Sequence, residues 1–209
     1  MTKMLLALLM LGTAAAANAH EVWIERDGVG PARIYLGEPA EPLPPGGDPE
    51  FAKLRAPRLV PASSAEQVRR DGYIEVAAPA GDVRVWDDNV FAPWGDEGAR
   101  EGVIYYARAG RAEPRHALPF EIVPVEADAN RFAVLRDGRP VAGSEVTLVS
   151  PDRSTAKLTT DATGVVAITP EASGRYLLVA AVAEDGQHSL PGGTVGKLHR
   201  ITTTTFVQP

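Results

Sequence analysis

The chain has 209 residues, a formal net charge of −6 and no cysteine, with 20 glycines and 18 prolines. An acidic chain with scattered basic residues lacks the electrostatic footprint that nucleic acid or an anionic membrane surface would require. The missing cysteines exclude disulfides, thiolate metal sites and a lipid-modified cysteine, and the proline content favours short strands joined by turns over helices.

Residues 1–19 read as a secretory signal peptide: Lys3 near the start, an apolar run from Met4 to Leu11, then small residues ending in Ala17-x-Ala19. The run is well short of the roughly 20 residues that span a bilayer, so cleavage after Ala19 and a periplasmic location are expected. His20 then becomes the first residue of the exported protein. An N-terminal histidine offers one ion two nitrogens, its own amine and its own ring, both of which give up a proton to a metal at small cost near neutral pH. All-nitrogen sites of this kind suit copper, nickel or zinc.

Glu21–Glu25 and Ala32–Leu36 read as strands separated by the turn Arg26-Asp27-Gly28. The segment from Glu38 to Pro49 holds five prolines and Gly46-Gly47 and must be a loop. Phe51–Leu54 fits one helical turn, and Arg58-Leu59-Val60, flanked by prolines, fits an edge strand. Tyr73–Val76 and Val83–Trp86, either side of Pro79-Ala80-Gly81-Asp82, read as a hairpin. Trp86 to Glu97 is an aromatic and acidic loop whose Asp87-Asp88-Asn89 lacks the alternate spacing of a calcium loop. Gly102–Ala107 is a further strand.

The second half continues with strands at Phe120–Pro124, Arg131–Leu135, Val141–Val149, Lys157–Thr160 and Val165–Ile168, joined by Gly and Asp turns. Gly174–Val182 is apolar throughout, as a central strand covered on both faces should be. Residues 184–196 read as a polar loop carrying His188, and His199–Val207 as a last strand rich in threonine. The expected fold class is all-β: two tandem immunoglobulin-like or prealbumin-like sandwiches, at residues 20–118 and 119–209.

Five stretches resemble a bacterial periplasmic family: His20-x-x-Trp23-Ile24-Glu25, Leu118–Pro124, Asp137-Gly138-x-Pro140-Val141-x-Gly143-x-x-Val146, Thr160-Asp161-x-x-Gly164, and His199-Arg200-x-Thr202-Thr203-x-Thr205-Phe206. The family is a domain of unknown function also called the nickel uptake substrate-specific region. The resemblance implies a periplasmic protein associated with the uptake of nickel, cobalt and related transition metals; together with the His20 chelate, which adds copper, the expected function is metal binding that assists uptake or delivery beside a membrane metal transporter. The expected metal ligands are His20, His199 at the start of the family's closing motif, and His116 just before the joint between the halves. Copper and nickel are the favoured ions. No Gly-x-Ser-x-Gly elbow and no His-Glu-x-x-His occurs, so a hydrolase is not expected and the chain is read as non-enzymatic. The competing readings are an interaction module that binds a protein or glycan, and a copper-dependent oxidative enzyme.

Overall fold

The computed structural model describes residues 20–209; the expected signal peptide lies outside them. The strands are β1 (Glu21–Arg26), β2 (Ala32–Gly37), β3 (Arg58–Val60), β4 (Gln67–Arg69), β5 (Ile74–Val76), β6 (Val83–Asp87), β7 (Glu101–Ala109) and β8 (Phe120–Pro124). They continue with β9 (Arg131–Arg136), β10 (Arg139–Pro140), β11 (Glu145–Val149), β12 (Thr155–Thr159), β13 (Val165–Ala167), β14 (Gly174–Leu190) and β15 (Gly193–Gln208). The only helical element among the described residues is one 3₁₀ turn at Phe51–Lys53, so the fold is all-β, and no helix there is long and apolar enough to cross a membrane.

Three sheets form three layers. The central sheet has seven strands in the order β12-β11-β14-β15-β7-β6-β3; it takes strands from both sides of residue 118. One face is covered by the sheet β1-β2-β5-β4 and the other by β10-β9-β13 with β8 also paired to β9. Alternation along the central strands sorts their side chains between the two faces. Val103, Tyr105, Ala107 and Ile201 join Val22, Ile24 and Ile34 in one apolar core, while Tyr106, Leu178 and Phe206 join Phe120, Ile122 and Phe132 in the other.

β15 explains the threonine run. It lies between β14, antiparallel, and β7, parallel, and all four of Thr202–Thr205 are fully buried. A threonine fits such a strand because it is β-branched, but each hydroxyl needs a partner once water is gone. Thr203 donates to the carbonyl of Val22 at 2.8 Å and Thr205 donates to that of Ile24, so the small side chains let the main chain of β1 settle onto the sheet. On the opposite face Thr204 donates to the carbonyl of Ile122 at 2.7 Å, and the Thr202 hydroxyl is buried without a partner.

The second face also holds a buried ionic knot. Oε1 of Glu121 accepts from Arg84 at 2.7 Å and Arg108 at 2.9 Å, and Oε2 accepts from the backbone N–H of Ala117 at 2.6 Å and of Leu118 at 2.9 Å. Arg108 also pairs with Asp82, and Arg84 with Glu113. Glu121 and Arg108 are wholly buried, and each is satisfied on several sides, the condition under which buried charge is tolerated.

Two sequence expectations fail. Tyr73–Val76 and Val83–Trp86 do not form a hairpin: β5 pairs with β2 and β4 in the outer sheet, β6 with β7 and β3 in the central one. Residues 184–196 are not a loop, because β14 and β15 continue as a ribbon that turns only between Leu190 and Gly193. Arg58–Val60 does lie at a sheet edge, and the proline-rich segment from Glu38 to Pro49 carries no strand.

Candidate functional site

The threonine bonds set the register of β1 over β15, since both span the same offset of 181 residues. Two residues before Val22 is His20, and two residues before Thr203 is Ile201; two more reach His199. The outer sheet therefore ends where His20 comes over the stretch of β15 that carries Ile201 and His199. Beyond that end the central sheet is uncovered, and a cleft of about 640 Å³ opens on it.

His20, Glu50, Phe91, Trp94, Glu101, Tyr105 and His199 line this cleft, over a floor that includes Ala181, Ala183 and Ile201. Each histidine meets carboxylates through its Nε2. That of His20 lies 3.2 Å from Oδ1 of Asp48 and 3.6 Å from Oε2 of Glu50; that of His199 lies 2.5 Å from Oε2 of Glu101. Each ring is also backed by an aromatic one. Phe91 meets His20 edge-on with centroids 5.9 Å apart, and Trp94 stacks on His199 at 5.8 Å.

The loop carrying Phe91 and Trp94 is held on two sides. Trp94 and Glu101 exchange backbone hydrogen bonds at 3.0 and 2.8 Å, and a Cβ added to Gly192 at the ribbon turn would fall 2.5 Å from Cδ of Pro93. Trp94 is still 43% exposed, at the cleft mouth.

The acids around the cleft are largely neutralised by neighbours. Glu101 is held below the usual carboxylate range, chiefly by its hydrogen bond to His199 and further by Lys197, whose Nζ lies 3.7 Å away. Glu50 pairs with Lys53, whose Nζ also sits 4.6 Å from the centroid of Phe91. Burial pushes the Tyr105 hydroxyl up, reinforced by Glu21 and Glu50, so it remains a neutral donor. Burial and then Glu38 push the Glu21 carboxyl up to about 8, which leaves it mostly protonated near neutrality; it does not line the cleft.

Of the three histidines named as ligands, His20 and His199 thus share one cleft. His116 is elsewhere: it is exposed and packs against the turn at Gly138, where an added Cβ would lie 2.9 Å from its Cε1. His188 is half-buried in the ribbon, with its Nε2 enclosed and unpartnered. Among the described residues no three of His, Asp and Glu already converge as a preformed metal cage. The sequence reading missed Asp48, Glu50 and Glu101 as partners of the histidines. Only Asp48 and Glu50 carried a hint, as acids closing the proline-rich loop just before the helical turn.

A family model for a domain of unknown function, DUF4198, matches residues 103–184, less than half of the chain. The matched stretch runs from β7 into β14 and includes the Leu118–Pro124 joint and the Thr160–Gly164 turn; His20 and His199 both lie outside it. No curated protein and no solved structure gives a significant match.

Proposed function

We propose that this is a periplasmic carrier of a late first-row divalent ion, copper or nickel ahead of cobalt, held by His20 as the first residue after signal cleavage and passed to a membrane metal transporter. The observation that carries this reading is the orientation of His20. Its Nε2 faces Asp48 and Glu50, so Nδ1 is the nitrogen left to close a chelate ring with the residue's own amine.

A carboxylate on the far nitrogen of a ligating imidazole fixes its tautomer and raises its basicity. Asp48 and Glu50 would do this for His20, and Glu101 for His199, whose Nε2 is engaged in the same way. Nδ1 of His199 is then the third nitrogen that the cleft offers. Three nitrogens and no thiolate favour copper or nickel over softer-ligand chemistry. An ion held by one residue's chelate and one further ring leaves positions open to a receiving site, which suits delivery.

The test is calorimetric titration of Cu(II), Ni(II), Co(II) and Zn(II) into protein beginning at His20, beside protein with one glycine added in front. Tight stoichiometric binding in the first and much weaker binding in the second is expected. Equal or absent binding would overturn the chelate and leave the second reading, a protein- or glycan-binding module, for which the exposed Trp94 at the cleft mouth is the supporting observation.

A further inference from the structure

We propose that the cleft takes its ion already bound to a small, flat aromatic chelator, with the chelator's ring lying against Trp94 over the alanine floor. This rests on the metal-binding reading above and adds to it the chemical form of the cargo.

The cleft is far larger than an ion needs. At ~30 Å³ per water, its 640 Å³ would hold roughly twenty waters, whereas pockets of about 300–1,000 Å³ are the usual size for small organic ligands. Only the end near the two imidazoles suits a cation. The rest is walled by Phe91, Trp94 and the ring of Tyr105 and floored by Ala181 and Ala183, side chains that offer apolar and aromatic contact.

Small residues keep that floor open. Leu177 and Val179 on the same face of β14 are packed under the outer sheet, and the alanines begin where this cover stops. Larger side chains at Ala181 and Ala183 would fill the space. Charge points the same way: Glu50 and Glu101 are already matched by Lys53 and Lys197, so the cleft holds no uncompensated acid that would select a bare, strongly hydrated dication. A chelator that shields the ion's charge and adds an apolar ring fits such a lining better. The amine and Nδ1 of His20 and a nitrogen of His199 would fill three positions on the ion and leave others to the chelator.

The experiment titrates protein beginning at His20 with Cu(II) alone, with the one-to-one complex of Cu(II) and phenanthroline, and with phenanthroline alone. It is repeated on Trp94→Ala and on Ala181→Leu, both at exposed positions where the fold tolerates change. Binding of the complex is expected to be about tenfold tighter than that of Cu(II) alone, a difference of about 1.4 kcal/mol. Both variants should lose this gain, and Ala181→Leu should keep the affinity for Cu(II) alone. Equal affinities in the unaltered protein, a gain that survives both variants, or removal of copper by phenanthroline would overturn the proposal. Failure of the metal reading looks different. If Cu(II) does not bind in either form but phenanthroline alone binds and depends on Trp94, the aromatic subsite stands and the carried ion does not. If nothing binds, both fall.

Discussion

The two faces of the central sheet are closed by different chemistry. On one, β1 lies on Thr203 and Thr205 and the contact is completed by neutral hydroxyl-to-carbonyl bonds within an apolar core. On the other, β8 brings Glu121 down between Arg84 and Arg108, so charge is buried and neutralised in place. The first device fixes where a strand lies with little at stake if one bond is lost. The second commits the fold to a set of charges that must stay together. The candidate site is built on the first face, where a register set by hydroxyls aligns His20 with the His199 end of β15.

The largest effect should follow from breaking the charged face. Glu121→Ala leaves two buried guanidiniums short of an acceptor and two backbone N–H groups without one, and should cost about 3–5 kcal/mol in denaturant unfolding. A loss below about 1 kcal/mol would mean that Asp82 and Glu113 suffice, and the contrast between the faces would be weaker than drawn.

Next comes the hydroxyl register. Thr203→Val keeps the shape and removes the donor to Val22, so a loss of about 1–3 kcal/mol is expected from the unsatisfied buried carbonyl. If His20 owes its place to this bond, the same variant should also weaken metal binding by the protein beginning at His20, although residue 203 does not line the cleft. Unchanged affinity would show that the loop around Asp48 positions His20 without help from β15.

Thr202→Val sharpens the comparison with an opposite sign. Its hydroxyl is buried and unpartnered, so the isosteric change removes an unmet hydrogen bond and should be neutral or stabilising by up to about 1 kcal/mol. A clear destabilisation in the same unfolding assay would reveal a partner for this hydroxyl, such as a buried water.

The smallest effect touches neither face. Asp161, in the turn between β12 and β13, is held below the usual carboxylate range chiefly by the Thr163 hydroxyl and by the N–H groups of Val165 and Thr163. A depressed carboxylate adds stability above its unfolded value of about 3.9 and loses it as pH falls through the lower folded value. Asp161→Ala should therefore be slightly less stable near neutrality and converge on the parent in acid. Parallel curves at every pH would show that the hydrogen bonds to the charged form contribute nothing.

The all-β class and most strand positions were legible from alternation and turn residues, because each strand carries its own pattern. Partnership was not. Ile74 and Val76 on β5 and Val83 and Val85 on β6 alternate like the two arms of a hairpin, yet they face the same core from opposite walls. The period records burial on one face and is silent on which sheet the strand joins. The ribbon from residue 184 to 196 looks like a loop for the opposite reason: its apolar contact is chiefly Leu190 and Val195 packed over Gly102, and most of its other residues are polar or glycine. The threonine run declared a strand by propensity, but nothing local in it tells that β1 and β8 would bring carbonyls to three of its hydroxyls. In the site, His20 and His199 stand out because histidine is rare here, whereas Asp48, Glu50 and Glu101 are ordinary acids until the fold sets them against an imidazole.

The position of β15 has a kinetic consequence. It is the last strand in chain order but sits inside the central sheet, with β14 on one side and β7 on the other, and its threonines hold both outer layers. During synthesis every layer waits for it, and its parallel pairing with β7 is a non-local contact of the kind that slows folding. A chain so arranged emerges from the ribosome unable to complete its core, and remains a pliable thread for as long as the sheet lacks its middle. If the proposed export holds, that delay keeps the chain unfolded for its passage across the membrane.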